Sequence, residues 1–152
     1  MNENARAAVD AEPCAHGTLR HERTCPACSR EASVTLGYGD VYGALRSWES
    51  FDCRYCGMKW ESDDRGFLQP EPRARMLAAY GTWTVRMGRA QSAFNAVKVL
   101  RNALGLELME AYAMLKHESG IVLTGTSQEC AWLKGLLEKA GERPVMNQVT
   151  LA

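Results

Sequence analysis

Cys25-Pro26-Ala27-Cys28 and Cys53-Arg54-Tyr55-Cys56-Gly57 decide how the first half of this chain folds. Each Cys-x-x-Cys step leaves two residues between its thiols, so the backbone can turn back and aim both sulfurs at one centre. Two such steps supply four thiolates, the donor set of a tetrahedral Zn²⁺. A redox dithiol would need only one step, placed beside a helix start. A four-cysteine shell is coordinatively closed and leaves no position for water or substrate. Cys25, Cys28, Cys53 and Cys56 therefore read as a structural zinc site and not as a Lewis acid. Cys14 and His16 have the right chemistry for zinc, but the four-thiolate set is complete without them, and they read as incidental surface residues.

Around the knuckles the pattern is that of short strands. Val34, Leu36 and Tyr38 alternate with Thr35 and Gly37, Trp48 and Phe51 precede the second knuckle, and Met58 and Trp60 follow it. Residues 23–66 thus form a small β zinc ribbon. A module of about 40 residues buries little core, and a metal compensates for that deficit. Tyr55 and Trp60 are expected to pack beside the site. Upstream, residues 1–22 are polar and Ala-rich and read as a mobile arm. Downstream, Gln69-Pro70-Glu71-Pro72 marks 67–79 as a stiff linker, because each proline disfavours helix at the residue before it.

From residue 80 to 152 the periodicity changes. Trp83, Val85 and Met87 alternate with polar neighbours, as in a half-buried strand. Ser92 is placed to cap a helix whose apolar face carries Phe94, Val97, Leu100 and Leu104, stopped at Gly105. Leu108, Ala111, Tyr112 and Leu115 predict a second helix ending near Gly120, and Ile121-Val122-Leu123 a strand. Thr126-Ser127-Gln128-Glu129 is a capping box for a third helix with Cys130, Leu133, Leu136, Leu137 and Ala140 on one face, closed by Gly141. Pro144 to Thr150 gives a last strand. The order β-α-α-β-α-β closes as a three-stranded antiparallel sheet covered by helices on one face. The fold class of the whole chain is α+β.

Val97-Lys98-Val99-Leu100-Arg101 and Gly105-Leu106-Glu107-Leu108-Met109-Glu110-Ala111 resemble the C-terminal domain of the bacterial ribosomal stalk protein. Gly125-Thr126-Ser127, Leu133 and Leu136-Leu137-Glu138-Lys139-Ala140-Gly141 continue the likeness in register, over the span from Trp83 to Val149. The resemblance implies the same element order that the periodicity predicts. In that family the domain recruits translational GTPases through a basic surface on its first two helices. Lys98 and Arg101 fall where the family has basic residues, and Met109 and Tyr112 stand where it carries lysines. The resemblance thus implies a partner-binding surface at Lys98, Arg101, Met109 and Tyr112, with less charge complementarity to speed capture. A zinc ribbon replaces the stalk protein's dimerisation helices and hinge.

Composition narrows the remaining classes. Eighteen Lys and Arg balance eighteen Asp and Glu, with no long basic run, which argues against a general polyanion binder. No apolar stretch has signal-peptide or membrane-span length, so the expected setting is cytoplasmic, with reduced thiols and no membrane partner. His16, His21 and His117 lack the partners of a hydrolase, and no nucleophile elbow, zincin helix or phosphate-cradling glycine loop occurs. His117 near a helix C-terminus is accounted for by the dipole, and Cys130 at helical spacing from Leu133 and Leu137 is a small core hydrophobe. The chain is expected not to be an enzyme and to take no small-molecule substrate.

Nucleic acid is the weaker partner class. Arg20, Arg23, Arg30, Arg46 and Arg54 with Tyr38, Tyr42 and Trp48 offer charge and stacking, yet Asp40, Glu49, Glu61, Asp63 and Asp64 dilute the field. A second basic set, Arg73, Arg75, Arg86, Arg89, Lys98 and Arg101, suits an acidic protein surface. The expected function is a non-catalytic protein-binding module with a structural zinc site, translation-associated as the resemblance implies. An immunity protein or adaptor with one dedicated partner, and a zinc-ribbon nucleic-acid accessory factor, are the alternatives.

Overall fold

Four strands, β1 (Thr18–Thr24), β2 (Glu31–Val41), β3 (Ala44–Asp52) and β4 (Lys59–Arg65), pair in chain order as an antiparallel meander. The structure is a computed structural model that describes residues 17–150. Alternation along β2 buries Ala32, Val34, Leu36 and Tyr38, as the sequence pattern predicts. The register sets Val34 opposite Phe51, and Phe51 opposite Trp60. The last two rings stack with centroids 5.6 Å apart.

A two-residue turn sets that register. Val41 pairs with Ala44 across Tyr42-Gly43, and both turn residues have positive φ, 53° and 81°. This is the primed turn whose twist matches a hairpin. Asp40 Oδ1 accepts the Gly43 N–H at 2.8 Å. With the turn placed there, Ser33 pairs with Asp52, so the entry to β2 and the exit of β3 lie side by side at the far end of the hairpin.

Two expectations about the flanks need correction. The arm expected to reach residue 22 overlaps β1, which begins at Thr18 and pairs with β2 along its whole length. Its one apolar residue, the buried Leu19, provides no alternation to detect; backbone pairing defines the strand. The expected stiff linker at 67–79 is largely a helix, α1 (Pro70–Tyr80). Pro70 is its first residue, where a missing N–H costs nothing and a fixed φ suits the helix; Pro72 lies in the same first turn. The Leu68 N–H donates to the Tyr38 hydroxyl at 2.9 Å, and Met76 is fully buried. By chain contacts one unit ends at Ala79 and the next begins at Tyr80.

The second unit has the expected order: β5 (Trp83–Arg86), α2 (Ala93–Leu104), α3 (Leu108–Lys116), β6 (Ile121–Gly125), α4 (Ser127–Lys139) and β7 (Val145–Gln148). The strands form an antiparallel sheet in the order β6-β5-β7. Ser92 caps α2 by accepting the Asn95 N–H, and the Thr126/Glu129 capping box opens α4. Val85, Val97, Leu100, Ala111, Val122, Cys130, Leu133 and Leu137 make the core.

Two side chains expected inside are not there. Phe94 is 72% exposed and Leu108 45% exposed. Both lie in the first turn of their helices. Helical periodicity assigns a face, but it does not say how far along its axis a helix stays on the core.

Candidate metal centre

Two six-residue connections carry the four cysteines. One joins the Thr24–Glu31 pair and the other the Asp52–Lys59 pair. They close in the same way. The Cys25 N–H donates to the Arg30 carbonyl at 2.8 Å and the Ser29 N–H to the Cys25 carbonyl at 2.9 Å. In the second, the Cys53 N–H donates to the Met58 carbonyl at 2.9 Å and the Gly57 N–H to the Cys53 carbonyl at 2.8 Å. The residue four places after the first cysteine is left-handed in each, Ser29 at φ 63° and Gly57 at φ 79°. The two knuckles are thus the same backbone device used twice, brought together by the β2–β3 register.

Their sulfurs converge. All four Sγ atoms lie within 4.8 Å of one another, with Cys25 and Cys56 at 3.6 Å and Cys28 and Cys53 at 3.5 Å. A tetrahedral ion with Zn–S bonds near 2.3 Å needs S···S separations of about 3.8 Å. Those spacings fit a metal and are far beyond a disulfide bond, and all these cysteines are free thiols. The chemistry of the donors and their geometry agree: Cys25, Cys28, Cys53 and Cys56 can hold a metal ion.

Backbone N–H groups favour the thiolate at Cys28, Cys53 and Cys56, while burial and, at Cys28 and Cys56, crowding by the other thiols oppose it. Backbone N–H groups of Cys56 and Tyr55, with the Cys28 thiol, lower the Cys53 thiol to about 6 against its burial. At Cys28 the Arg30 N–H pulls downward, but burial and the Cys53 and Cys25 thiols leave it raised. Cys56 follows the same pattern: the Met58 N–H lowers it, while burial and the three other thiols push it up to about 11. Arg30 and Met58 occupy matching knuckle positions, so each half of the site offers its second sulfur the same backbone donor. Without a metal Cys28 and Cys56 hold their protons; a bound cation would replace them.

Cys25 and Cys53 are fully buried among Ala32, Val34 and Phe51, with Met58 and Trp60 packed against them. Trp60 therefore sits beside the site as expected. Tyr55 does so differently: it is 47% exposed, with the guanidinium groups of Arg30 and Arg54 over its ring at 4.8 and 4.9 Å. Arg54 also donates to the Tyr55 hydroxyl at 2.9 Å. These two arginines stand at the knuckles, where their charge would oppose that of a metal tetrathiolate.

The remaining candidates are dispersed. Cys14 and His16 lie outside the described residues. Cys130 is fully buried in the core of the second unit, which accounts for it. His21 Nδ1 lies 3.3 Å from the Glu22 carbonyl, and His117 Nδ1 is 2.8 Å from Ser119 Oγ. On α2, Lys98 and Arg101 are exposed, and Arg101 Nε donates to the Leu106 carbonyl at 3.4 Å. On α3, Met109 is 76% exposed, whereas Tyr112 is half-buried against the core with Lys116 Nζ over its ring at 5.9 Å. Among the described residues no helix is long and apolar enough to cross a membrane. Compared with known proteins, the chain matches no family model, no curated protein and no solved structure.

Proposed function

We propose that this chain is a non-catalytic docking protein whose first unit is a ribbon folded on a structural zinc ion and whose second unit presents a partner-binding surface on α2 and α3. The observation that carries the zinc assignment is the mutual approach of four sulfurs from two identical knuckles. Four protein thiolates complete a tetrahedral shell, so the ion would supply folding free energy and no reactive position. Elemental analysis of protein purified under reducing conditions should find one zinc per chain. Metal-free protein with a folded ribbon, or an iron-coloured preparation, would refute the assignment.

The docking surface rests on side chains that the fold does not use. Phe94, Lys98 and Arg101 stand at helical spacing on the exposed side of α2, and Met109 is exposed at the start of α3. Large apolar groups beside cations, anchored on rigid helices, are the composition of a protein-binding patch more than of a plain solvated surface. The partner that suits them presents acidic and apolar groups together. Recruitment of a translation factor is what the resemblance to the stalk domain implies. Immobilised wild-type chain should retain a partner that the folded Lys98→Glu/Arg101→Glu and Met109→Asp variants release, with retention falling as salt rises. Equal retention by all three proteins would remove α2 and α3 from the interface.

A further inference from the structure

A cleft of about 570 Å³ opens where β5 gives way to the loop before α2, and it faces the turn between α3 and β6. Arg86 and Arg89 enter it from the β5 side and His117 from the α3 side. Among the described residues neither guanidinium has an ion-paired carboxylate. Glu118 is the one acidic residue that lines the cleft. The local backbone is specialised. The β5–β6 ladder slips by a residue between Val85 and Arg86, a device that re-aims side chains. Opposite the slip Gly120 has φ 70°, and a Cβ there would lie 2.4 Å from the Met87 carbonyl oxygen and 3.3 Å from Arg86 Cγ. The stem of Arg86 therefore lies over bare backbone.

The histidine is oriented as well. Its Nδ1 is engaged by Ser119, whose Oγ lies at 2.8 Å and whose N–H lies at 3.2 Å. Two guanidinium groups and an imidazole thus border one concavity whose walls include the apolar side chains of Met87, Leu115 and Val145. We infer that this cleft binds a phosphate group, as the free ion or as the monoester of a small molecule with an apolar portion. Guanidinium forks match the oxygens of a tetrahedral oxyanion, and the cleft has the size of a small-molecule site. A nucleic-acid strand would call for a longer basic track than one cleft.

The test titrates the ¹⁵N-labelled full-length protein with inorganic phosphate, with phenyl phosphate, with sodium chloride at matched ionic strength, and with a single-stranded oligonucleotide. Saturable shifts of the Gly88, Arg89 and Gly120 amides with either phosphate compound are expected, weakened about tenfold or more in Arg86→Gln/Arg89→Gln. Tighter binding of phenyl phosphate assigns the ligand to a monoester, and tighter binding of inorganic phosphate to the free ion. Should the double variant lose its native spectrum, Arg89→Gln and His117→Gln singly carry the same comparison. The inference is overturned if sodium chloride reproduces the shifts, if the folded variants bind like wild type, or if only the oligonucleotide binds.

Discussion

The Glu142 carboxylate accepts the Ser92 N–H through Oε1 at 2.9 Å while its Oε2 takes the Gln91 N–H at 2.8 Å. The residue is buried, so one side chain just after α4 satisfies the backbone where α2 begins. Glu142→Ala would leave both donors without this acceptor, at a cost of about 1–3 kcal/mol for each group that water does not reach. The expected outcome is a lower denaturation midpoint with an unchanged slope, and faster amide exchange at Gln91 and Ser92. Glu142→Gln keeps one acceptor oxygen and should fall between the two.

Removing one ligand should undo the ribbon. Cys53→Ser replaces a fully buried sulfur and leaves three thiols without a complete tetrahedral set. The expected result is loss of the metal, with loss of the near-ultraviolet dichroism of the stacked Phe51–Trp60 pair. A strong chelator should do the same to the wild-type chain, and re-addition of zinc should restore the signal. A native near-ultraviolet spectrum without metal would contradict the proposal.

Metal uptake should release protons. In the metal-free site Cys56, at about 11, and Cys28, also raised, hold their protons at neutral pH, while Cys53 at about 6 is already largely a thiolate. Because the metal binds only thiolates, lowering the pH puts protons in competition with it and affinity falls. Calorimetry in buffers of different ionisation enthalpy should register net proton release, smaller as the pH is raised.

The paired knuckles allow an internal comparison. Ser29 and Gly57 fill the same left-handed position, where a Cβ costs about 1–2 kcal/mol. Ser29→Gly should therefore stabilise the ribbon by up to about 1 kcal/mol, offset in part by the greater freedom of the unfolded chain. Gly57→Ala should destabilise it through the backbone alone, since a methyl there meets nothing within 4 Å. Both are read from denaturation of the metal-loaded protein.

Gly120→Ala tests a harder constraint. It combines a positive φ with a clash against the Met87 carbonyl, which itself follows a Met87 N–H bond to the Gly120 carbonyl at 2.7 Å. Backbone cannot swing aside as a side chain does, so a loss of more than about 2 kcal/mol is expected. A thermal melt of the variant that overlays the wild type would show that the strand end yields more easily than its geometry implies.

Much of the fold was legible because its signals are local. Each Cys-x-x-Cys step aims its own two sulfurs through bonds within six residues, and Ser92, Thr126 and Glu129 cap helices through bonds within three. The misreadings fall where a local rule has two outcomes. Proline before a helix and proline at its first turn look alike in sequence, and 67–79 went the second way at Pro70. Phe94 sits at helical spacing from Val97, yet it lies outside the core. An edge strand such as β1 is defined by its neighbour's hydrogen bonds and not by its own alternation.

The amino-acid order alone determined the four cysteines that can hold a metal ion and the β-α-α-β-α-β succession of the second unit, because spacing and periodicity act over a few residues. Only the tertiary structure decided that Glu142 serves Ser92, that Arg30 and Arg54 flank Tyr55, and that Arg86, Arg89 and His117 share one cleft. Those relationships join residues on different elements. They exist once the register of the strands and the packing of the helices have chosen which distant side chains become neighbours.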